Sequence, residues 1–115
     1  MSKKGILKNL KRCTRTRESY DSSWERDYML LLDKDSSIKR WERCTLLGIS
    51  YIRADGKKGH YYPDFIVERE DGTKEIHEIK GDHLLGNKNT ERKLEAGEEF
   101  CRKRGMIFKV ITRGK

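Results

Sequence analysis

The sequence lacks the features of membrane-spanning, secreted and zinc-stabilised proteins. No apolar run approaches the ~20 residues that cross a bilayer, and the basic N-terminus has neither the apolar segment nor the small-residue cleavage site of a signal peptide. The three cysteines, Cys13, Cys44 and Cys101, form no Cys-x-x-Cys pair, which disfavours a structural zinc site. We therefore expect a reduced compartment, the cytoplasm, with Cys101 as a small core residue.

Apolar residues are also scarce, at 34% of the 115 residues against 40% that are charged. They are nevertheless clustered and periodic, and the length of the chain fits one folded domain with a modest core. The net charge of +8 and the sequence pI near 9.5 favour a polyanionic partner. Nucleic acid is the first candidate, because no long basic amphipathic helix points to an acidic membrane surface.

Positive charge is concentrated near the N-terminus. We divide the chain into a basic N-terminal arm, residues 1–18, and a single domain, residues 19–115. Apolar residues between positions 6 and 10 could support a short helix in the arm. Alternatively, the arm is flexible and orders on a phosphate backbone, or it is a solvated tail. Its basic residues are Lys3, Lys4, Lys8, Lys11, Arg12, Arg15 and Arg17.

Two helices are predicted from apolar periodicity and capping signals. The first begins after Ser22, which forms a Ser-x-x-Glu capping box with Glu25, and it ends between residues 33 and 37. The second is capped by Asn89 or Thr90 and runs to about residue 104, where Gly105 ends it. The predicted buried faces comprise Trp24, Tyr28, Leu31 and Leu32 in the first helix, and Leu94, Gly97, Phe100 and Cys101 in the second.

Five segments are predicted to be strands, at residues 38–42, 49–53, 60–68, 73–80 and 106–111. An Asp-Gly pair favours a tight hairpin between the third and the fourth. The only proline, Pro63, cannot donate a backbone hydrogen bond, so we expect it at a sheet edge, a strand start or a bulge. Residues 81–88 are predicted to be a loop. The order of helix, strands, helix and strand indicates an α/β fold.

Two carboxylates and a lysine lie on the strands that this hairpin joins. Glu78 and Lys80 share one face of their strand, while Ile79 points to the other face. The hairpin can bring Asp64 beside Glu78, which would give an oxygen-rich pocket for a hard divalent cation with an ammonium group at its rim. Such a pocket suits phosphodiester hydrolysis. The alternative is a surface hairpin with an ion pair, but the apolar run at residues 65–67 favours burial, where carboxylates need compensation.

Four further side chains near this pocket have open interpretations. Glu25 is either only the capping partner of Ser22 or a third carboxylate that helix packing aims at the pocket. His77 points away from Glu78 in a regular strand and is expected to be an ordinary packed or surface residue. Of Tyr61 and Tyr62, one is expected in the core, and the other is a candidate for stacking on a sugar or base.

Eight basic side chains are candidate contacts to nucleic acid, although each could simply be solvated. They are Lys11, Arg12, Arg15 and Arg17 in the arm, Lys57 and Lys58 at a turn, and Lys88 and Lys93 near the start of the second helix.

Four segments, in this order, resemble the PD-(D/E)xK nuclease superfamily and, within it, the TnsA-type endonuclease pattern. They are residues 23–28 (SWERDY), 62–65 (YPDF), 78–81 (EIKG) and 108–112 (FKVIT), so the resemblance covers about residues 20–112. The arrangement is also similar to that of small phage junction-resolving endonucleases. The resemblance implies an αβββαβ restriction-endonuclease-like core with a mixed central sheet flanked by helices. It also implies Mg²⁺-dependent hydrolysis, with Mn²⁺ as a substitute, that leaves 5′-phosphate and 3′-hydroxyl ends.

The same resemblance implies roles for individual residues. Asp64 and Glu78 correspond to metal ligands, joined by the Ile79 carbonyl, and Glu25 corresponds to the helix carboxylate that holds or tunes a metal. Lys80 corresponds to the residue that positions the attacking water and offsets charge in the transition state. The expected catalytic set is therefore Glu25, Asp64, Glu78 and Lys80, and the expected metal-binding set is Glu25, Asp64, Glu78 and Ile79.

The expected function is that of a DNA endonuclease of phage or mobile-element type that nicks DNA or selects particular DNA structures. If a phage encodes the protein, the expected compartment is the host cytoplasm. TnsA-type proteins carry a second domain and act with a transposase partner, whereas this sequence ends after the nuclease core, so a self-contained nuclease is expected. A homodimer would explain paired nicks. Two alternatives remain open: a non-catalytic basic nucleic-acid-binding protein, and a TnsA-like subunit that cuts only with a partner.

Overall fold

The computed structural model describes residues 4–43, 47–80 and 86–112. Cys44 and residues 81–85 of the predicted loop lie outside the described residues. Within the described ranges the helices are α1 (Ser23–Lys34) and α2 (Lys88–Lys103), and neither is long and apolar enough to cross a membrane. The described strands are β1 (Gly5–Leu7), β2 (Glu18–Tyr20), β3 (Ile38–Arg43), β4 (Ile49–Ile52), β5 (Lys58–Tyr61), β6 (Phe65–Arg69), β7 (Lys74–Lys80) and β8 (Ile107–Thr112).

The central sheet has the strand order β3-β6-β7-β8. β6 pairs antiparallel with both β3 and β7, while β7 and β8 are parallel. Parallel neighbours require a crossover connection, and α2 lies on that connection. With α1 preceding β3, the core reads αβββαβ, which confirms the predicted α/β class with a mixed sheet. The pairs β1-β2 and β4-β5 form separate two-stranded sheets.

Helix α1 begins where the capping signal predicts. The Ser22 hydroxyl accepts a hydrogen bond from the Glu25 backbone N–H at 3.1 Å. The predicted burial of Leu31 is wrong, because its side chain is 60% exposed, while Met29 and Leu32 are buried. The helical period places Leu31 about 100° around the axis from Leu32, away from the face that packs on the sheet.

The predicted single strand over residues 60–68 is also wrong. The chain leaves β5 at Tyr61 and enters β6 at Phe65, and these two strands belong to different sheets. Pro63 lies between them, where its missing N–H interrupts no ladder. The break places Asp64 at the entrance to a central strand and Tyr61 at the end of a hairpin. The other four predicted strands are confirmed to within two residues at each end as β3, β4, β7 and β8.

Helix α2 begins earlier than predicted. Asn87 is its N-cap, in place of Asn89 or Thr90, and its side chain accepts a hydrogen bond from the Thr90 N–H at 3.1 Å. The Asn89 side-chain oxygen instead accepts one from the Ala54 N–H at 2.8 Å, which ties α2 to the β4-β5 hairpin. Gly105, with a φ of +68°, follows the helix as predicted.

The short helix considered as one possibility for the N-terminal segment does not form, because β1 and β2 pair there as a hairpin. Leu10 is buried among residues of α1 and the sheet. The Asp33 carboxylate accepts hydrogen bonds from the backbone N–H groups of Lys11, at 2.9 Å, and Arg12, at 2.7 Å. Residues 12–14 form backbone hydrogen bonds with β3. These contacts cover the outer edge of β3, which would otherwise expose unpaired backbone groups.

The core cluster lies between α1, the N-terminal segment and the strands β3 and β6. It comprises Leu10, Met29, Leu32, Ile38, Trp41, Phe65 and Val67. Phe65 is fully buried, so this cluster fixes the backbone immediately after Asp64. On α2, the predicted burial of Gly97 and Cys101 is confirmed, whereas Leu94 and Phe100 are partly exposed.

Candidate active site

Asp64 and Glu78 meet where β6 begins and β7 ends. Phe65 pairs with His77 across the two strands, so the next residues outward along the ladder are Asp64 and Glu78. The Ile79 backbone N–H donates to Asp64 Oδ2 at 2.7 Å, which fixes this carboxylate against β7. The structure thus brings together the two carboxylates that the sequence analysis expected to be neighbours.

Both oxygens of Glu78 have protein partners. The Tyr61 hydroxyl donates to Glu78 Oε1 at 2.7 Å, and Lys80 Nζ lies 3.2 Å from Glu78 Oε2. Glu78 is only 3% exposed, so these two contacts replace the water that a carboxylate normally binds. Burial, and next the Glu78 charge, raise the pKa of Tyr61 far above its usual range, so the phenol remains a donor.

Asp64 carries the clearest electrostatic sign of a crowded acidic site. Burial and the adjacent Glu78 carboxylate raise the pKa of Asp64 to about 7, with a further contribution from Glu25. The Ile79 N–H and the Lys80 ammonium oppose this shift without cancelling it. Asp64 is therefore readily protonated near neutral pH unless another positive charge enters the site.

Glu25 lies near this pair but is engaged elsewhere. Its Oε1 accepts a hydrogen bond from the Asp21 N–H at 2.9 Å and lies 3.1 Å from Arg43 Nη2. Across the described ranges, no three acidic, histidine or cysteine side chains lie close enough to form a metal-binding cluster. The structure therefore places Asp64 and Glu78 together as a pair, while Glu25 is near enough for its charge to contribute to the raised pKa of Asp64.

Arg43 is a site residue that the sequence analysis missed. It ends β3 directly across from Phe65, and its guanidinium also contacts the Ser19 carbonyl and the Asp21 carboxylate. Arg43 thereby connects three elements: β3, β2 and the start of α1, where Glu25 lies. No local motif marks this arginine, because its partners come together only in the folded chain.

Tyr61 is the second missed residue. One of two adjacent tyrosines is predicted to lie in the core, and Tyr61, at 3% exposed, is the buried one. Its ring lies beside Gly97 of α2, where a Cβ would approach the Tyr61 ring to 3.2 Å. The hydrogen bond to Glu78 was not foreseen, because it depends on how the β4-β5 hairpin packs against α2.

Comparison with known families agrees with this geometry. A family model described as TnsA-like endonuclease N terminal matches residues 35–113, most of the chain. The chain belongs to this family. TnsA-like domains are restriction-endonuclease-like members of the PD-(D/E)xK group, as the αβββαβ core indicates. The match includes Asp64, Glu78 and Lys80 but begins after Glu25. A search of curated proteins found no match.

The other face of β7 in this TnsA-like domain carries a buried polar network. His77, 2% exposed, lies 2.5 Å from the Tyr28 hydroxyl through Nδ1 and 2.7 Å from Glu75 Oε1 through Nε2. Arg69 donates to both oxygens of Glu75, and Lys109 lies 3.4 Å from it. His77 is therefore a packed residue, as expected, and the network joins α1 to the sheet.

The predicted nucleic-acid contacts of the TnsA-like domain differ in their surroundings. Arg12 is folded onto the protein, because its guanidinium donates to the carbonyls of Ile38, at 3.0 Å, and Asp33, at 2.9 Å. Lys93 is partly buried and lies 5.9 Å from the centre of the Tyr51 ring. The remaining six are exposed at the surface: Lys11, Arg15, Arg17, Lys57, Lys58 and Lys88.

Proposed function

We propose that this chain is a Mg²⁺-dependent DNA endonuclease that hydrolyses phosphodiester bonds. The observation that supports this proposal most directly is the pair of adjacent, largely buried carboxylates, Asp64 and Glu78, with Lys80 beside them. Membership of the TnsA-like endonuclease family supports a nuclease-type function independently of this geometry.

The donor set fits a hard divalent cation. Asp64 and Glu78 supply carboxylate oxygens, the ligands that Mg²⁺ prefers. Burial and the Glu78 charge raise the pKa of Asp64, and a bound cation would oppose that shift. The Ile79 carbonyl and the Glu25 carboxylate are the further oxygens that we assign to the ion, and Mn²⁺ would substitute. When bound, the ion would polarise the scissile phosphate and lower the pKa of a water molecule.

Lys80 supplies the second positive charge of the proposed site. Its ammonium group is held 3.2 Å from Glu78 and is largely buried, so its field is weakly screened. We assign it to orient the attacking water and to offset the negative charge that develops on the phosphate.

DNA binding is assigned to exposed basic side chains, which would give salt-sensitive, sequence-independent affinity. The six candidates are Lys11, Arg15, Arg17, Lys57, Lys58 and Lys88. We further propose 5′-phosphate and 3′-hydroxyl products and a role of phage or mobile-element type, nicking or structure-selective. A homodimer would place two such sites on one duplex.

A second candidate is a TnsA-like subunit that cuts only with a partner. The observation that favours it is the position of Glu25, whose carboxylate is held by Arg43 instead of joining Asp64 and Glu78 in one cluster. Contact with a partner near Arg43 would then complete the site. A non-catalytic nucleic-acid-binding module is the third candidate function. Cleavage assays distinguish these three candidates.

The test is incubation of the pure chain with supercoiled plasmid and with a branched junction, in Mg²⁺, Mn²⁺ or EDTA. We expect cleavage with either metal and none in EDTA. Lys80→Ala should abolish cutting and retain DNA binding, whereas Lys74→Ala, an exposed lysine on the same strand, should leave both unchanged. Cleavage that appears only when a cell extract is added would support the partner-dependent subunit. Absence of cleavage under all of these conditions would falsify the stand-alone nuclease.

A further inference from the structure

Tyr62 is an unusual surface residue in this chain. It is 55% exposed, and among the Phe, Trp and Tyr side chains of the described residues it alone is more than half exposed. Single exposed apolar residues are common on protein surfaces and need no explanation by themselves. The position of Tyr62 is what separates it from Ile6, Leu31 and Ile52, because it lies within the segment that forms the candidate active site.

The residues on both sides of Tyr62 are fixed to that site. Tyr61 donates to Glu78 at 2.7 Å, and Asp64 accepts from the Ile79 N–H at 2.7 Å. Pro63 directly follows Tyr62, and a proline restricts both its own φ and the backbone conformation of the residue before it. The backbone of Tyr62 is thus held from both sides, and its Cα lies at most about 7 Å from that of Asp64.

The ring itself is also supported. A Cβ built at Gly48 would lie 3.2 Å from Tyr62 Cε1 and 3.4 Å from Cζ, so the ring packs directly against the Gly48 backbone. Contact with Gly48 covers part of the ring and leaves more than half of the side chain open to solvent. A tyrosine fixed in this way loses little conformational entropy when a second planar group stacks on it.

We propose that Tyr62 is a stacking platform for an unpaired nucleobase next to the scissile phosphate. Paired bases are stacked inside the duplex, so an aromatic ring reaches a base face only where the base is unpaired or extruded. This inference rests on the proposed nuclease function and deepens it, because it names the substrate class: DNA with an unpaired base beside the cleavage position, as at a fork, flap or gap.

The experiment measures binding by the full chain in EDTA, so that it does not depend on cleavage. Two DNAs of equal length are compared by fluorescence anisotropy: a perfect duplex, and a fork with 2-aminopurine as the first unpaired base. We expect the wild type to prefer the fork and to quench 2-aminopurine fluorescence. Tyr62→Leu, which keeps a large apolar side chain, should weaken fork binding about tenfold and abolish the quenching, with duplex binding unchanged.

Two controls separate stacking from a structural effect. Tyr62→Phe keeps the ring and should retain both the preference and the quenching. Leu31→Ala removes an equally exposed apolar side chain on α1 and should change neither. Melting temperatures within error of the wild type show that the variants are folded.

Three outcomes would overturn the inference: no fork preference in the wild type, equal losses of fork and duplex binding in Tyr62→Leu, or a loss of quenching in Tyr62→Phe. If plasmid is cleaved but fork binding does not depend on Tyr62, the nuclease proposal is supported and the stacking role of Tyr62 is refuted. If Tyr62 supports fork binding but no metal permits cleavage, base stacking by Tyr62 is supported without its link to a scissile phosphate, and the stand-alone nuclease is refuted.

Discussion

Replacing Asp64 with asparagine should stabilise the metal-free protein at alkaline pH. The pKa of Asp64 is raised by burial and by the Glu78 carboxylate from 3.8 to about 7. A raised pKa in the folded state means that folding favours the protonated carboxyl group. The stability associated with this group is therefore fully present below about pH 4 and is lost as the pH rises through about 7. Asparagine keeps an oxygen that accepts from the Ile79 N–H but carries no charge.

The magnitude follows from the size of the shift. A change of about three pKa units corresponds to roughly 4 kcal/mol, and partial screening by water reduces the expected effect to about 2–4 kcal/mol. In EDTA at about pH 8, Asp64→Asn should have the larger free energy of unfolding by that amount. At about pH 4 the two proteins should agree to within about 0.5 kcal/mol, because both are then neutral at position 64.

Urea unfolding, followed by circular dichroism at several pH values, measures this difference. Asp71→Asn is a suitable control, since the pKa of Asp71 is lowered by hydrogen bonds from Thr73 and its replacement should give no stabilisation. Mg²⁺ should stabilise the wild type and not Asp64→Asn, because only a bound ion shifts the unfolding equilibrium. An Asp64→Asn protein that is less stable than the wild type at pH 8 in EDTA would refute the inference that burial and the Glu78 charge destabilise the ionised form of Asp64.

Three further predictions concern the surrounding structure. Burial raises the pKa of Glu75, but hydrogen bonds from Arg69 and His77 outweigh it and lower this pKa to about 2. Glu75→Gln should therefore lower the free energy of unfolding by about 3 kcal/mol at pH 7. Urea unfolding should show this difference shrinking as the pH falls from about 4.5 towards 2. Gly97→Val should cost about 2 kcal/mol, measured in the same way, because a Cβ there would lie 2.6 Å from the Phe108 ring; Gly86→Ala, which meets no described atom within 4 Å, is its control. The double variant Arg15→Ala and Arg17→Ala should lower the dependence of DNA affinity on salt by about two counterions, and an unchanged salt slope would remove both residues from the binding surface.

Local signals were sufficient for the elements that local chemistry determines. The Ser22 cap, the Asp-Gly hairpin turn and the glycine after α2 each depend on neighbours within a few residues, and the structure confirms all three. The order of helices and strands also followed from periodicity, which is why the α/β class was predictable, whereas the αβββαβ core was implied by the resemblance to PD-(D/E)xK nucleases. The juxtaposition of Asp64 and Glu78 was predictable in turn, because a hairpin register fixes which residues face each other.

Contacts between distant segments account for what the sequence did not reveal. Asn87, and not Asn89, caps α2, because the Asn89 side-chain oxygen already accepts a hydrogen bond from the Ala54 N–H in the β4-β5 connection. Deletion of residues 2–17 looks from sequence alone like removal of an arm, yet Leu10 belongs to the core. Such a deletion would unfold part of the domain, so the substitutions at Arg15 and Arg17 are the cleaner test of charge.

The positions of Lys80 and Arg43 bear on how the proposed site would become active. Each cation is paired with a carboxylate of the site, Lys80 with Glu78 at 3.2 Å and Arg43 with Glu25 at 3.1 Å. Both pairs are largely buried, and removing one partner of such a pair leaves a costly uncompensated charge. Lys80 can therefore turn to a phosphate only when another positive charge offsets Glu78. Release of Glu25 towards Asp64 would leave Arg43 with only the exposed Asp21 carboxylate as its anionic partner, so that release needs a further anion beside Arg43. A DNA phosphate beside Arg43 would meet the second condition, so substrate binding and assembly of the carboxylates are expected to be coupled.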